Sequence, residues 1–552
     1  MKRLPTFLFY FWIINFNFCV HSCQKVERVD ESEFQDTSIE TDDNFGQTEH
    51  HLAKAHFEKG LFLLHTFAYK ESRDEFQKAR NLDSSFVLAY WGEALTYNQS
   101  FWQKQDLINA RNTINALGKS IDQRLQKCTD AVEARLIQSL DILFGPLKKF
   151  DRDIAYSDFL GELIKEHEEH IELEALYALS LISSPHYDRI DWVYDEAIKV
   201  TKRALRISPD HPGLMHYSIL ALDQMNRTKE AKREANQFIR IAPNSSHAQH
   251  IGSHVHLALA EWNKVIQSNI KSWNTSLNKS NINEWEKDMR SYHALYWLMY
   301  SYLQKGWTSK AKLLLDQMES YIRTDKSKAC RSHMLLMIAT YQSETLDFDE
   351  KHKFIDSIYI GDLHFLEKVG YAYLKGLRSF YQDDIEGITY WANRVEETRI
   401  RAQNFLVEEG VALCLPVGYY YRPTTRSDLQ QAEVMKLQLL GMRSSLRNEI
   451  VMAESWYQKA VDLESQIEMP IGPPSIFKPS YELIGSFYLD HNMSQLALIN
   501  FKAAQLQNPG RLVVLNGLKK SAAKRDQALS RNVSDAIKRQ KSKVFNLEKI
   551  VL

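Results

Sequence analysis

The chain of 552 residues has few cysteines, almost no net charge and no apolar run long enough to cross a membrane, and each shortage excludes a class of protein. Its five cysteines, Cys19, Cys23, Cys128, Cys330 and Cys414, form no CxxC pair and no metal-ligand spacing, so a disulfide scaffold is not expected. A formal net charge of −1 lacks the basic excess of a nucleic-acid binder, and no nucleic-acid partner is expected. The apolar run Leu4 to Phe18 is too short for a transmembrane helix. With Lys2 and Arg3 before it, the run has the charged and apolar regions of an export signal, which assigns residues 1–22 to a signal peptide.

What the chain does have is a period. Arg206-Ile207-Ser208-Pro209 returns thirty-four residues later as Arg240-Ile241-Ala242-Pro243, and His216 returns as His250. A 34-residue unit closing on proline is the mark of the tetratricopeptide repeat (TPR), two antiparallel helices that stack into a solenoid. The expected fold is therefore an all-α, TPR-like superhelix of antiparallel helix pairs over residues 50–518. Phe57, Gly60 and Leu64 followed by Ser72, Phe76 and Ala79 fit the packing positions of a first pair. Gly92 takes the close-packing position of the next, whose second helix is delayed by an insertion around Phe101-Trp102. Helical periodicity runs through 131–145, 153–166, 170–182 and 191–206, and Leu295 to Met318 forms a pair with Gly306 in its turn. Prolines break the helix between Met469 and Pro479, and the clearest repeat follows, from Tyr481 to Pro509. Residues 23–49 are acidic and polar and read as a flexible tether. Residues 519–552, with Lys519, Lys520, Lys538, Arg539 and Lys541, read as a basic capping helix or tail.

Register locates the chemistry. Counting 100° per residue from Ser246, TPR packing positions four, seven, eight and eleven cluster on one side, and His247, His250 and His254 fall on the other. In a TPR superhelix that side faces the concave groove. The same register places His216, His293, Tyr296 and Tyr300 there, with Glu93 at the ninth position of the Trp91-Gly92 repeat and His65 near the end of the first helix. Three uses compete. His250 and His254, at i and i+4, can share a metal such as zinc with His216 as third ligand. Imidazoles and tyrosines can instead hydrogen-bond a peptide, an acidic segment or a sugar. Or the histidines bridge helices and serve the scaffold alone. His211 reads only as the residue before a helix whose first turn holds Pro212.

Two resemblances add to this. Val20-His21-Ser22-Cys23 resembles the lipobox of bacterial lipoproteins, apart from His21 where a small residue is usual, and implies acylation of Cys23. FEKGLFLLHTF, AYWGEALTYN, HPGLMHY, APNSSHAQHIGSHVH and HALYWLMYSYLQKG, in that order over nearly the whole mature chain, resemble a largely uncharacterised family of bacterial TPR proteins. That family's pattern has further histidines where this chain has Gln99, Leu220 and Tyr296, and Met-Pro in place of Ile251-Gly252. The resemblance implies the fold and the groove and carries no reaction.

The resulting expectation is an outer-membrane lipoprotein of the cell envelope, or else a secreted protein, that binds a peptide or protein partner in a His/Tyr-lined groove. It touches the membrane through its lipid alone and has no resident cofactor. One alternative is an accessory glycan-binding lipoprotein with a polysaccharide ligand. Another is a metal-dependent hydrolase in which His216, His250 and His254 hold zinc and Glu93 acts as base.

Overall fold

The ring of Phe76 shows how one helix pair joins the next. Phe76 lies on Tyr69–Leu82, the partner of His51–His65 in the first pair, and is fully buried. A Cβ added at Gly60 would meet it at 2.9 Å, and one added at Gly92, on Val87–Leu95, at 2.4 Å. Glycine is required on both sides because the wedge fills the space a side chain would occupy. Phe501 repeats the device near the other end, between Gly485 on Ser480–Asp490 and Gly517 on Leu512–Ala522.

In a computed structural model the chain is described over residues 45–183, 191–224, 227–279, 290–348, 355–404, 424–523, 526–542 and 549–551. The stretch read as a signal peptide, Cys23, most of the stretch read as a tether and Cys414 lie outside the described residues. Among the described residues there are 24 α-helices and one pair of two-residue antiparallel strands, Asn98–Gln99 and Lys104–Gln105. Consecutive helices pack antiparallel on one another from His51 to Lys541, an all-α, TPR-like helical-repeat solenoid. The strands belong to the insertion at Phe101-Trp102. The regular stretches lie where periodicity predicts them, as Ala131–Leu143, Lys149–Glu166, Ile171–Ile182 and Asp191–Ile207. Gly306 turns the chain between Tyr292–Gln304 and Thr308–Thr324 with φ +69°. None of the described helices is long and apolar enough to cross a membrane.

Two boundaries move. Phe45 is buried, its ring packed on Phe57 and Trp91, so the folded body already includes the last residues of the stretch read as tether. Leu512–Ala522 runs through residue 519 and buries Leu518, Ser521 and Ala522, so packing continues into the stretch read as a basic capping helix or tail, up to Gln527–Lys541.

The apolar interior forms two cores, Phe45 to Val255 and Leu257 to Val533, which divide within Ser246–Ala258. The solenoid also folds back on itself. His51–His65 packs across Pro212–Ala221, where His216 Nδ1 lies 2.7 Å from the His65 carbonyl oxygen. At the other end Gln540 donates to the carbonyls of Gln304 (2.7 Å) and Gly510 (2.8 Å), and the Trp273 indole donates to the Val551 carbonyl (2.7 Å).

Candidate functional site

The histidines stand on the helix faces that register assigns them, and those faces are closed. Ser246–Ala258 starts at Ser245, whose hydroxyl accepts the Ala248 N–H, and its packing side is set by Gly252 against Ile239. His247, His250 and His254 therefore point inward. His65, Glu93, His216, His250, His254, His293, Tyr296 and Tyr300 are all buried, and of the expected groove residues His247 alone is partly exposed. The open His/Tyr groove is thus corrected to an internal column, because contacts between distant repeats cover it.

The column has three stations. In the first, His65 Nε2 lies 2.8 Å from Glu172 Oε1 and its Nδ1 2.8 Å from Tyr217 Oη. His211 Nε2 approaches the other Glu172 oxygen at 3.3 Å, while its Nδ1 accepts the Leu214 N–H at 3.2 Å. His211 is thus the helix cap that the following proline suggests, and a buried partner of Glu172 besides. Burial works to raise the Glu172 carboxyl, but attraction to His65 and hydrogen bonds from His211 and His65 outweigh it and hold the group well below the usual range.

In the second station His216 Nε2 lies 3.0 Å from His247 Nε2. Phe67 packs on both rings, with centroids 4.3 and 5.2 Å away, and Trp102 meets His247 edge-on.

The third station joins His250, His254 and His293, each offering a ring nitrogen within 4.8 Å of the other two. His250 and His254 face each other Nε2 to Nε2 at 3.2 Å. The third nitrogen comes from His293, two helices on, rather than from His216, which is paired with His247. His333 Nε2 lies 3.5 Å from His293 Nδ1, and Trp297 stacks on His254 at 4.4 Å. Burial holds His216 and His250 at about 3 and His333 at about 4. Burial, reinforced by neighbouring imidazoles, puts His247 and His293 well below the usual histidine range. His216, His250 and His333 are therefore neutral at neutral pH.

The remaining expected groove residues serve packing. Glu93 accepts from Gln77 (2.8 Å), Thr113 (3.2 Å) and Arg80, so its carboxylate is held by side chains of its own repeats. Tyr296 Oη lies 2.9 Å from Thr340 Oγ1, and Tyr300 Oη accepts from Arg511 at 2.9 Å. Glu172, Asp223, Asn269 and His333 complete the column without a sequence signal, since each joins it from another helix or loop at a spacing no motif records.

No family model and no curated protein matches the chain. Similar solved structures include the TPR domain of P58(IPK), at 13% identity over 87% of this chain and 98% of that one, with a TM-score of 0.21. Yeast Tom70 is similar at 10% identity over 88% and 92%, TM-score 0.30, and the Cut9–Hcn1 structure at 10% over 85% and 76%, TM-score 0.31. These likenesses extend no further than the helical repeat, and the chain is, by its own packing, an all-α TPR-like solenoid.

Proposed function

We propose that the protein is an exported, lipid-anchored repeat scaffold of the cell envelope that binds a protein partner on its outer surface. The observation that carries this is Ser494–Gln507, a helix apolar on both sides. Ala497, Phe501 and Ala504 are buried in the solenoid, while Leu496, Ile499 and Leu506 are exposed, Leu506 at 81%. At 100° per residue these three lie within about 80° of one another, one outward stripe along the helix. A soluble surface seldom keeps such a stripe without a partner. Lys502 on the same helix, and Lys519 and Lys520 on the helix packed against it, are exposed. The matching partner is an apolar helix that carries acidic side chains at its margin. Export is supported by Lys2-Arg3 and the run Leu4 to Phe18, and the anchor by Ser22-Cys23.

The test is cross-linking mass spectrometry in envelope preparations, comparing wild type with Leu496→Asp/Ile499→Asp/Leu506→Asp and with Ile108→Asp at another exposed site. The triple variant is expected to lose a cross-linked protein that the control keeps. The same cross-links in all three would overturn the outer-face reading.

A further inference from the structure

We propose that His250, His254 and His293 form a binding site for a divalent transition-metal ion at the junction of the two cores. Whether the three rings can hold an ion depends on which nitrogen of each carries a proton.

Asn269 settles His250. Its amide nitrogen donates to Ser253 Oγ (3.0 Å) and to the Val265 carbonyl (2.9 Å), which fixes the amide so that its oxygen faces His250 Nδ1 at 2.9 Å. An amide oxygen only accepts, so the proton sits on Nδ1 and Nε2 keeps its lone pair. Asp223 settles His254 in the same way, with its two carboxylate oxygens 3.1 and 3.3 Å from Nδ1. For His293 the determinant is one ring further out. His333 Nδ1 must donate to the Ala329 carbonyl 2.7 Å away, so His333 Nε2 is an acceptor, and it lies 3.5 Å from His293 Nδ1.

The Nε2 atoms of His250 and His254 thus face each other across 3.2 Å, with a nitrogen of His293 within 4.8 Å of both. Two neutral rings so placed repel unless a cation lies between. A proton would join only two of these nitrogens, whereas a metal ion takes all three. Ligands about 2.0–2.1 Å from a tetrahedral ion stand about 3.3 Å apart, close to the separation of His250 and His254. Asn269, Asp223 and His333 stand where outer-shell partners of ligating histidines stand, orienting each ring and fixing its tautomer. Three imidazoles with no cysteine suit zinc, copper or nickel better than calcium or magnesium.

The same reasoning rejects the other cluster of ligand types. At Glu172 the His211 ring accepts a backbone N–H on Nδ1, so its Nε2 is protonated and donates to the carboxylate. That carboxylate is satisfied by its N–H neighbours and needs no ion. His216 and His247 need none either, because His247 can donate to His216.

The experiment uses the mature full-length chain without an affinity tag, stripped of metal and titrated with zinc against a chromophoric chelator. Cobalt(II) is used in parallel as a spectroscopic probe. One tightly bound equivalent of zinc and the intense visible absorption of tetrahedral cobalt are expected in wild type. His293→Gln is expected to weaken zinc binding by more than about 100-fold and Asn269→Ala by about 10–100-fold, while His216→Gln leaves it unchanged. Circular dichroism checks that each variant is folded, and the cobalt spectrum of wild type needs no variant. No stoichiometric zinc and no tetrahedral cobalt spectrum in wild type would overturn the proposal. So would retention of full affinity by a folded His293→Gln chain.

Discussion

A Cβ added to Gly213 would lie 2.3 Å from the Nδ1 of His65, so the backbone of Pro212–Ala221 rests directly against a ring from the first repeat. That ring cannot retreat, because Tyr217 and Glu172 hold its two nitrogens. Gly213→Ala is expected to destabilise the chain by about 1–3 kcal/mol, the usual cost of overpacking. Urea unfolding followed by circular dichroism measures it, and an unchanged midpoint would mean that the first repeat shifts freely on Pro212–Ala221.

The closure at the far end depends on Arg511. It donates to Glu482 Oε2 at 2.9 Å and also through Nε, pairs with Glu344 at 2.8 Å and reaches Tyr300, all within the buried interior. Arg511→Met leaves the Glu482 and Glu344 carboxylates without the guanidinium that pairs them, at an expected cost of about 3–5 kcal/mol. Hydrogen exchange should accelerate in Tyr292–Gln304 and Leu512–Ala522 together, two of the helices the guanidinium joins. Protection lost in one helix alone would show that the network does not couple them.

Glu464 gives the fold a pH dependence. Burial, the dominant influence, pushes its carboxyl up to about 7 from the ordinary 4.5, although it accepts the Ser480 N–H at 2.8 Å. The folded-state value lies above the unfolded one, so the stabilising contribution is complete below the unfolded value. It is lost as pH rises through the folded value, by about 3 kcal/mol in all. Glu464→Gln keeps an acceptor for Ser480 and removes the titration. The difference in urea midpoint between variant and wild type should therefore grow in the variant's favour from pH 5 to pH 8. A constant difference would assign the pH dependence elsewhere.

Acylation of Cys23 predicts that Cys23→Ala moves the protein from the membrane fraction to the soluble one, with loss of the lipid mass from the mature N-terminus. Equal membrane fractions for the two proteins would remove the anchor.

The 34-residue period and the glycine–aromatic pairs made the solenoid legible because they are local: Gly60, Phe76 and Gly92 meet within two repeats. Register was legible for the same reason, and it put His247, His250 and His254 on the inner side, where they are. What register does not contain is whether that side is open. The closure rests on His216 meeting His65, Arg511 meeting Tyr300 and Gln540 meeting Gln304, pairs 151, 211 and 236 residues apart. No periodicity encodes such pairs. His216 and His250 looked like neighbours because they are equivalent in adjacent repeats, yet each ring bonds elsewhere, to His247 and to His254. Asp223 and Asn269, which decide the tautomers, are ordinary polar residues in the sequence and gain meaning only from the ring each one faces.

The return of the chain end onto Trp273 and Gln304 has a mechanical consequence. An open stack of helix pairs stretches like a spring, because each joint yields a little under load. Here the end is latched to the middle repeats, so tension applied at the termini must first release Val551 from Trp273 and Asn274 and then peel Gln527–Lys541 away from Gln304 and Gly510. The molecule is stiff until that latch releases and compliant afterwards.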